Sequence, residues 1–141
     1  VMQLNEDSVE EWLKELLSKD FLSGYDDEEK VIDCLDSRDT DPFDSEWVSV
    51  DKLLSNEIKN SSEKDKIESL RDRYRKSFFD KVIRSSGSAD LASYVSEDIE
   101  LIIGVIFLSI ESDFIYSMIC SYAKDVVPDN DMERLKGMPE A

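Results

Sequence analysis

Glu97-Asp98-Ile99-Glu100 carries the most reaction-like spacing in the chain. Carboxylates three residues apart share one face of a helix and can share a divalent cation, as in a magnesium-dependent hydrolase of the all-α nucleotide pyrophosphatase kind. Such a centre needs a second Glu-x-x-acid pair from a neighbouring helix, and none follows at a hairpin's distance. The plainer reading is that Glu97 and Asp98 complement the positive end of a helix. Two frames approach a calcium loop. In the one from Asp39, Phe43 stands at position five, Asp44 at the glycine position and Val50 at position twelve. In the one from Asp129, Glu140 is correctly placed but Arg134 occupies the glycine position. The chain has no histidine, which excludes Ser-His-Asp and Cys-His catalysis, histidine-ligated zinc and His-carboxylate di-iron sites. Cys34 and Cys120 are too few for a metal cage and read as reduced, semi-buried thiols. Tyr74, Tyr94, Tyr116 and Tyr122 stand at helical spacing beside Ile and Phe, as amphipathic core residues do. No catalytic residue, metal or cofactor is expected.

The elements that must position these residues are helical. Ser8-Val9-Glu10-Glu11 has the form of a capping box ahead of Trp12, Leu13, Leu16 and Leu17, with Gly24 as the stop. An aspartate cap at Asp26 with Glu29 three residues on opens a second helix, whose inner face is Val31, Ile32 and Leu35. Residues 37–45 read as a loop around Pro42, and Ser45 as the cap of a third helix through Trp47, Val50, Leu53, Leu54 and Ile58. A long fourth helix opens at Ser62 and runs on the stripe Ile67, Leu70, Tyr74, Phe78 and Val82 to Gly87. After a short helical turn over 88–95, the segment from about Glu97 to Ile110 is apolar on every side and must be buried. One helix from Glu97 to Val127 would reach about 46 Å. A globule of this length is only about 37 Å across, so a break is placed near Ser109 to Asp113. A sixth helix follows with Phe114, Ile115, Met118, Ile119, Tyr122 and Val126 inward, ending at Pro128. The expectation is an all-α, single-domain bundle of five to seven helices around that buried central helix. It comprises residues 1–128, with 129–141 as a C-terminal tail holding a possible short helix.

The charge is one-sided. Seventeen Lys and Arg face 34 Asp and Glu, a formal net charge of -17. A field of that sign opposes a phosphate backbone and favours a basic protein. Residues 61–95 are net +2, and their cluster Arg71, Arg73, Arg75 and Lys76 is expected to pair with the molecule's own acids. Residues 26–46 hold ten acids against Lys30 and Arg38. Within them Glu29, Asp33 and Asp36 stack into one stripe without a cation four residues on. Most charge runs are solvating faces. Here Phe43 and Trp47 sit among the acids, the combination that steers and anchors a basic partner surface. The candidate partner-binding residues are therefore Asp26, Asp27, Glu29, Asp33, Asp36, Asp39, Asp41, Phe43, Asp44, Glu46 and Trp47.

In size, helical content, lack of catalytic residues and the acidic run from Asp26-Asp27-Glu28-Glu29 through Asp41-Pro42-Phe43-Asp44-Ser45-Glu46-Trp47, the chain resembles a bacterial immunity protein of the polymorphic-toxin or contact-dependent growth inhibition type. The resemblance implies a non-enzymatic, cytoplasmic inhibitor that binds and neutralises a cognate toxin domain, often a basic nuclease, without touching nucleic acid or membrane itself. It also implies that the toxin is encoded directly upstream. The alternatives are the carboxylate-metal hydrolase and an acidic helical adaptor or nucleic-acid mimic. No signal peptide is expected, since the opening lacks a basic region and carries Glu6 and Asp7. The apolar run is also too short to cross a bilayer.

Overall fold

A helix carrying a stretch that is apolar on every side needs neighbours all round that stretch, and the last third of the chain supplies one. In the computed structural model, which describes residues 4–137, that helix is α5 (Ala89–Phe107). It is preceded by α1 (Val9–Ser18), α2 (Glu28–Arg38), α3 (Phe43–Lys59) and α4 (Lys64–Ser86), and followed by α6 (Asp113–Ala123). A single 3-10 turn, Ser23–Tyr25, joins α1 to α2, and the described residues contain no strand. Over the described residues the protein is thus an all-α bundle of six helices. α5 buries Leu91, Val95, Ile99 and the unbroken run from Leu101 to Ile106. α4 and α5 form a helical hairpin whose sharp turn is made by Gly87 at φ +72°, a left-handed conformation that costs glycine little. The buried stripe of α4 is Ile67, Tyr74, Phe78 and Val82, with Leu70 half-buried. Phe78 reaches Phe21 and, through it, Tyr122 of α6, so one aromatic cluster ties three segments together.

α3 crosses α5 closely because residue 104 has no side chain. A Cβ built on Gly104 would lie 2.6 Å from Cδ2 of Leu54 and 2.8 Å from its Cδ1. Leu54 is 1% exposed, so the small residue on one helix receives the large one on the other.

Several expected boundaries shift, each for a local reason. The central helix starts earlier and ends sooner than expected. Residues 88–95 belong to it, because the Ser88 hydroxyl accepts from the Leu91 N–H at 3.1 Å and caps it, and it stops at Phe107, before Ser109 turns at φ +54°. The expected break falls there, and Ser112 caps α6. The capping box at Ser8 does not form. Asn5 makes a turn that takes the Ser8 hydroxyl as acceptor for its own N–H. Asp27 rather than Asp26 caps α2, accepting from the Glu29 N–H at 2.9 Å. Ser45 caps nothing, since α3 already begins at Phe43. Its N–H and hydroxyl both donate to Asp41 Oδ1. α4 starts at Lys64, and Ser61 rather than Ser62 accepts from the Glu63 N–H.

Two apolar assignments also change. Ile32 is 47% exposed, because the inner face of α2 is set by Val31, Cys34 and Arg38 at spacings of three and four. Val126 is 46% exposed, because α6 ends at Ala123 and the chain turns at Asp125, burying Val127 instead.

The described part of the C-terminal segment is held against the bundle. Asn130 is its main anchor. Its Nδ2 donates to the Ser37 carbonyl at 2.6 Å and to Thr40, and its Oδ1 accepts from the Phe43 N–H at 2.9 Å. One side chain thereby joins the end of α2 to the start of α3. Met132 is buried, and the Leu135 N–H donates to Ser117 Oγ. Arg134, which blocks the second calcium frame, is paired with Glu46, and Glu140 of that frame lies outside the described residues.

Candidate functional site

The inner face of α2 ends on a charged residue. Arg38 is 5% exposed and faces Asp98 on α5, which is fully buried. Two parallel hydrogen bonds join them, Nη1 to Oδ2 at 2.8 Å and Nη2 to Oδ1 at 2.7 Å. The carboxylate also accepts from Trp47 Nε1 at 2.9 Å and from the Tyr122 hydroxyl at 2.6 Å, while Arg38 Nη1 donates to the Pro128 carbonyl. Four helices and the C-terminal segment therefore converge on one ion pair. The guanidinium carbon lies 4.8 Å from the ring centre of Phe43 and 5.0 Å from that of Tyr94, between two aromatic faces that favour a cation. Burial works against the Arg38 charge, but the Asp98 carboxylate outweighs it and holds the pKa above its ordinary value. Burial and the same carboxylate push the Tyr122 hydroxyl well up, so it stays a donor.

Above this pair opens a cleft of about 160 Å³, floored by Arg38 and Phe43 and walled by Trp47, Val48 and Tyr94. Asp39, Asp44 and Glu97 stand around it. Small-molecule sites are larger, roughly 300 to 1,000 Å³. A space of this size suits a single side chain. A second notch, of about 300 Å³, is lined by Ile32, Leu35, Asp36 and Asp90. Asp39 and Tyr94 border both, joined by a hydrogen bond from the Tyr94 hydroxyl to Asp39 at 2.6 Å. That bond and partial burial raise the Tyr94 pKa to about 12. Glu97 is raised by burial, Asp98 and Glu100 together, as expected for a carboxylate short of counter-charge.

The structure brings some of the expected site residues together and gives others structural duties. Asp36, Asp39, Asp44 and Trp47 border the two notches. Phe43 is 1% exposed and packs edge-on against Phe114 at 5.1 Å, so it supports the cleft from beneath and is not an exposed anchor. Asp27 and Asp41 serve helix starts, and Glu46 is bound by Arg134 with both oxygens at 2.9 Å. Asp26 and Glu29 are exposed away from the notches, and Asp33 borders a separate depression with Tyr25 and Asp129. Of the ten acids in residues 26–46, Glu46 alone is ion-paired among the described residues. The basic cluster of α4, by contrast, is internally satisfied: Arg71 and Arg75 face Glu100, Arg73 faces Glu10 and Lys76 faces Asp72. Of the two carboxylates considered for magnesium, Glu100 faces the two arginines, and Glu97 has no ion-pair partner among the described residues. Burial pushes the Cys34 thiol up to about 12, far from a reactive thiolate.

The sequence does not single out Ile32, Arg38, Val48, Asp90, Tyr94, Glu97 and Asp98 for this site. The signal available is Arg38 itself, a lone arginine at the buried spacing of α2, which requires a buried carboxylate partner.

Fold and site together define an all-helical protein whose buried polar centre is closed on itself and whose unpaired charge lies outside, around a side-chain-sized cleft. A family described as Immunity protein PIM1 matches residues 8–129, nearly the whole chain, and the chain belongs to that family. No curated protein matches it. Membership makes it an immunity protein, with a cognate toxin as its partner.

Proposed function

We propose that the chain is a non-enzymatic inhibitor that binds a basic toxin domain, a nuclease in the simplest case, through the acidic surface of α2 and the start of α3. In this reading it acts in the cytoplasm, on the toxin alone, without cofactor. Among the described residues no helix is long and apolar enough to cross a membrane. The observation that carries the reading, beside family membership, is that nine of the ten acids in residues 26–46 have no ion-pair partner among the described residues, whereas α4 pairs Asp72 and Asp80 with its own cations. Unpaired carboxylates at this density repel one another at some cost to stability. A partner that covers them with Lys and Arg removes that cost and gains speed of encounter.

The test is protection. Co-expression with the toxin encoded upstream should restore growth, and a variant with Glu29, Asp33, Asp36 and Asp39 reversed to lysine should fail to protect while remaining folded by circular dichroism. Full protection by that variant would remove the acidic surface from the account.

A further inference from the structure

The cleft over Arg38 is specified in more detail than a general acidic face requires. Four large apolar side chains are markedly exposed among the described residues, and two of them, Ile32 and Val48, border the adjoining notches. The acids at the rims are Asp36, Asp39, Asp44, Asp90 and Glu97, and none of them has an ion-pair partner among the described residues. The cation in the lining is Arg38, already neutralised by Asp98. Among the described residues, its Nε is the buried side-chain nitrogen without an acceptor.

We propose that this paired notch is the recognition site for one basic segment of the partner protein. An arginine or lysine side chain enters the cleft between Trp47 and Tyr94 and reaches Asp44 and Glu97, while a neighbouring apolar residue covers Ile32. The aliphatic stem of the basic residue packs on Val48 and the aromatic walls, and its head meets the carboxylates at the rim. The raised pKa of Glu97 accords with this, because a cation arriving there relieves the repulsion from Asp98 and Glu100. The inference rests on the proposed toxin-binding function and adds the place where the toxin is read.

Two experiments separate this assignment from the function beneath it. In the first, N-acetyl-argininamide is titrated into the isotope-labelled full chain, with N-acetyl-norleucinamide as the uncharged control. The expected result is a saturable shift of the Trp47 indole and of the backbone amides of Asp39, Asp44 and Glu97, with affinity about fivefold weaker in the Asp44→Asn/Glu97→Gln variant. Both substituted residues are exposed, so the variant keeps its fold. Equal shifts at Glu29 and Asp33, equal shifts with norleucinamide, or no weakening in the variant would overturn the assignment. In the second, the same variant is measured against the upstream toxin. Weakened binding supports the cleft; undiminished affinity overturns the cleft and leaves the proposed function standing. If the unaltered chain fails to bind that toxin, the proposed function falls instead, whatever argininamide does.

Discussion

Asp98 is the residue on which the site's geometry depends. It sits at 0% exposure with four hydrogen bonds, from Arg38 twice, Trp47 and Tyr122. A buried ion pair adds little net stability over an apolar pair, but removing one member strands the other charge. Asp98→Asn is therefore expected to cost about 3 to 5 kcal/mol, read as a drop in the urea midpoint. Tyr122→Phe, which removes one donor from a charged acceptor, is expected to cost about 1.5 to 3 kcal/mol. An Asp98→Asn variant as stable as the parent would show that the pair does not organise α2 against α5. At this scale the sequence is least informative. Asp98 stands beside Glu97 and Glu100, and nothing in its local spacing distinguishes the one buried carboxylate from its two neighbours. Only the packing of α2 and α6 around it does so. The expectation of an exposed Phe43 fails for the complementary reason: acids on either side of it suggest exposure, whereas its place at the start of α3 aims it at Phe114 in the core.

At the scale of elements, the existence and order of the helices are legible, because apolar residues recur at three and four throughout and Gly87 marks a turn that only an αL residue makes cheaply. Boundaries are less so, since several serines and aspartates within two residues of each helix start compete for the same capping role. Close crossing of α3 and α5 is hidden as well, because a glycine inside an apolar helix carries no sign of what approaches it. Gly104→Ala gains helix propensity of up to about 1 kcal/mol but drives a Cβ into Leu54. Overpacking of this kind costs about 1 to 3 kcal/mol, so the variant should be less stable than the parent by thermal melting. In combination with Leu54→Ala the loss should be smaller than the two single losses added together. Additive losses would mean that Leu54 is not what Gly104 accommodates. The C-terminal segment belongs to the same scale. Asn130→Ala removes the side chain that holds Ser37, Thr40 and Phe43 in one arrangement, and it should expose the Phe43 amide to hydrogen exchange while leaving α4 protected.

For the whole molecule, charge is the dominant fact, and it is legible from composition: a net -17, with acids concentrated where cations are scarce. Glu97, Glu100 and Asp129 all have pKa values raised above their ordinary ones, chiefly by burial. A carboxylate raised in the fold binds its proton more readily there than in the unfolded chain. Its contribution is fully present below the unfolded value and is lost as pH rises through the folded one. Stability is therefore expected to increase as pH falls from about 7 toward about 5, and added salt at neutral pH should act in the same direction by screening the acids. A urea midpoint that fell over that interval would contradict this sign. The same surplus charge is what the toxin is expected to use, and the association rate reports it most directly. Binding to the upstream toxin, followed by stopped flow across a series of ionic strengths, should slow steeply as salt rises in the parent chain. The variant with Asp36, Asp39 and Asp44 replaced by asparagine should start slower and depend less on salt. An association rate indifferent both to salt and to those three residues would contradict the claim that this acidic face captures the toxin.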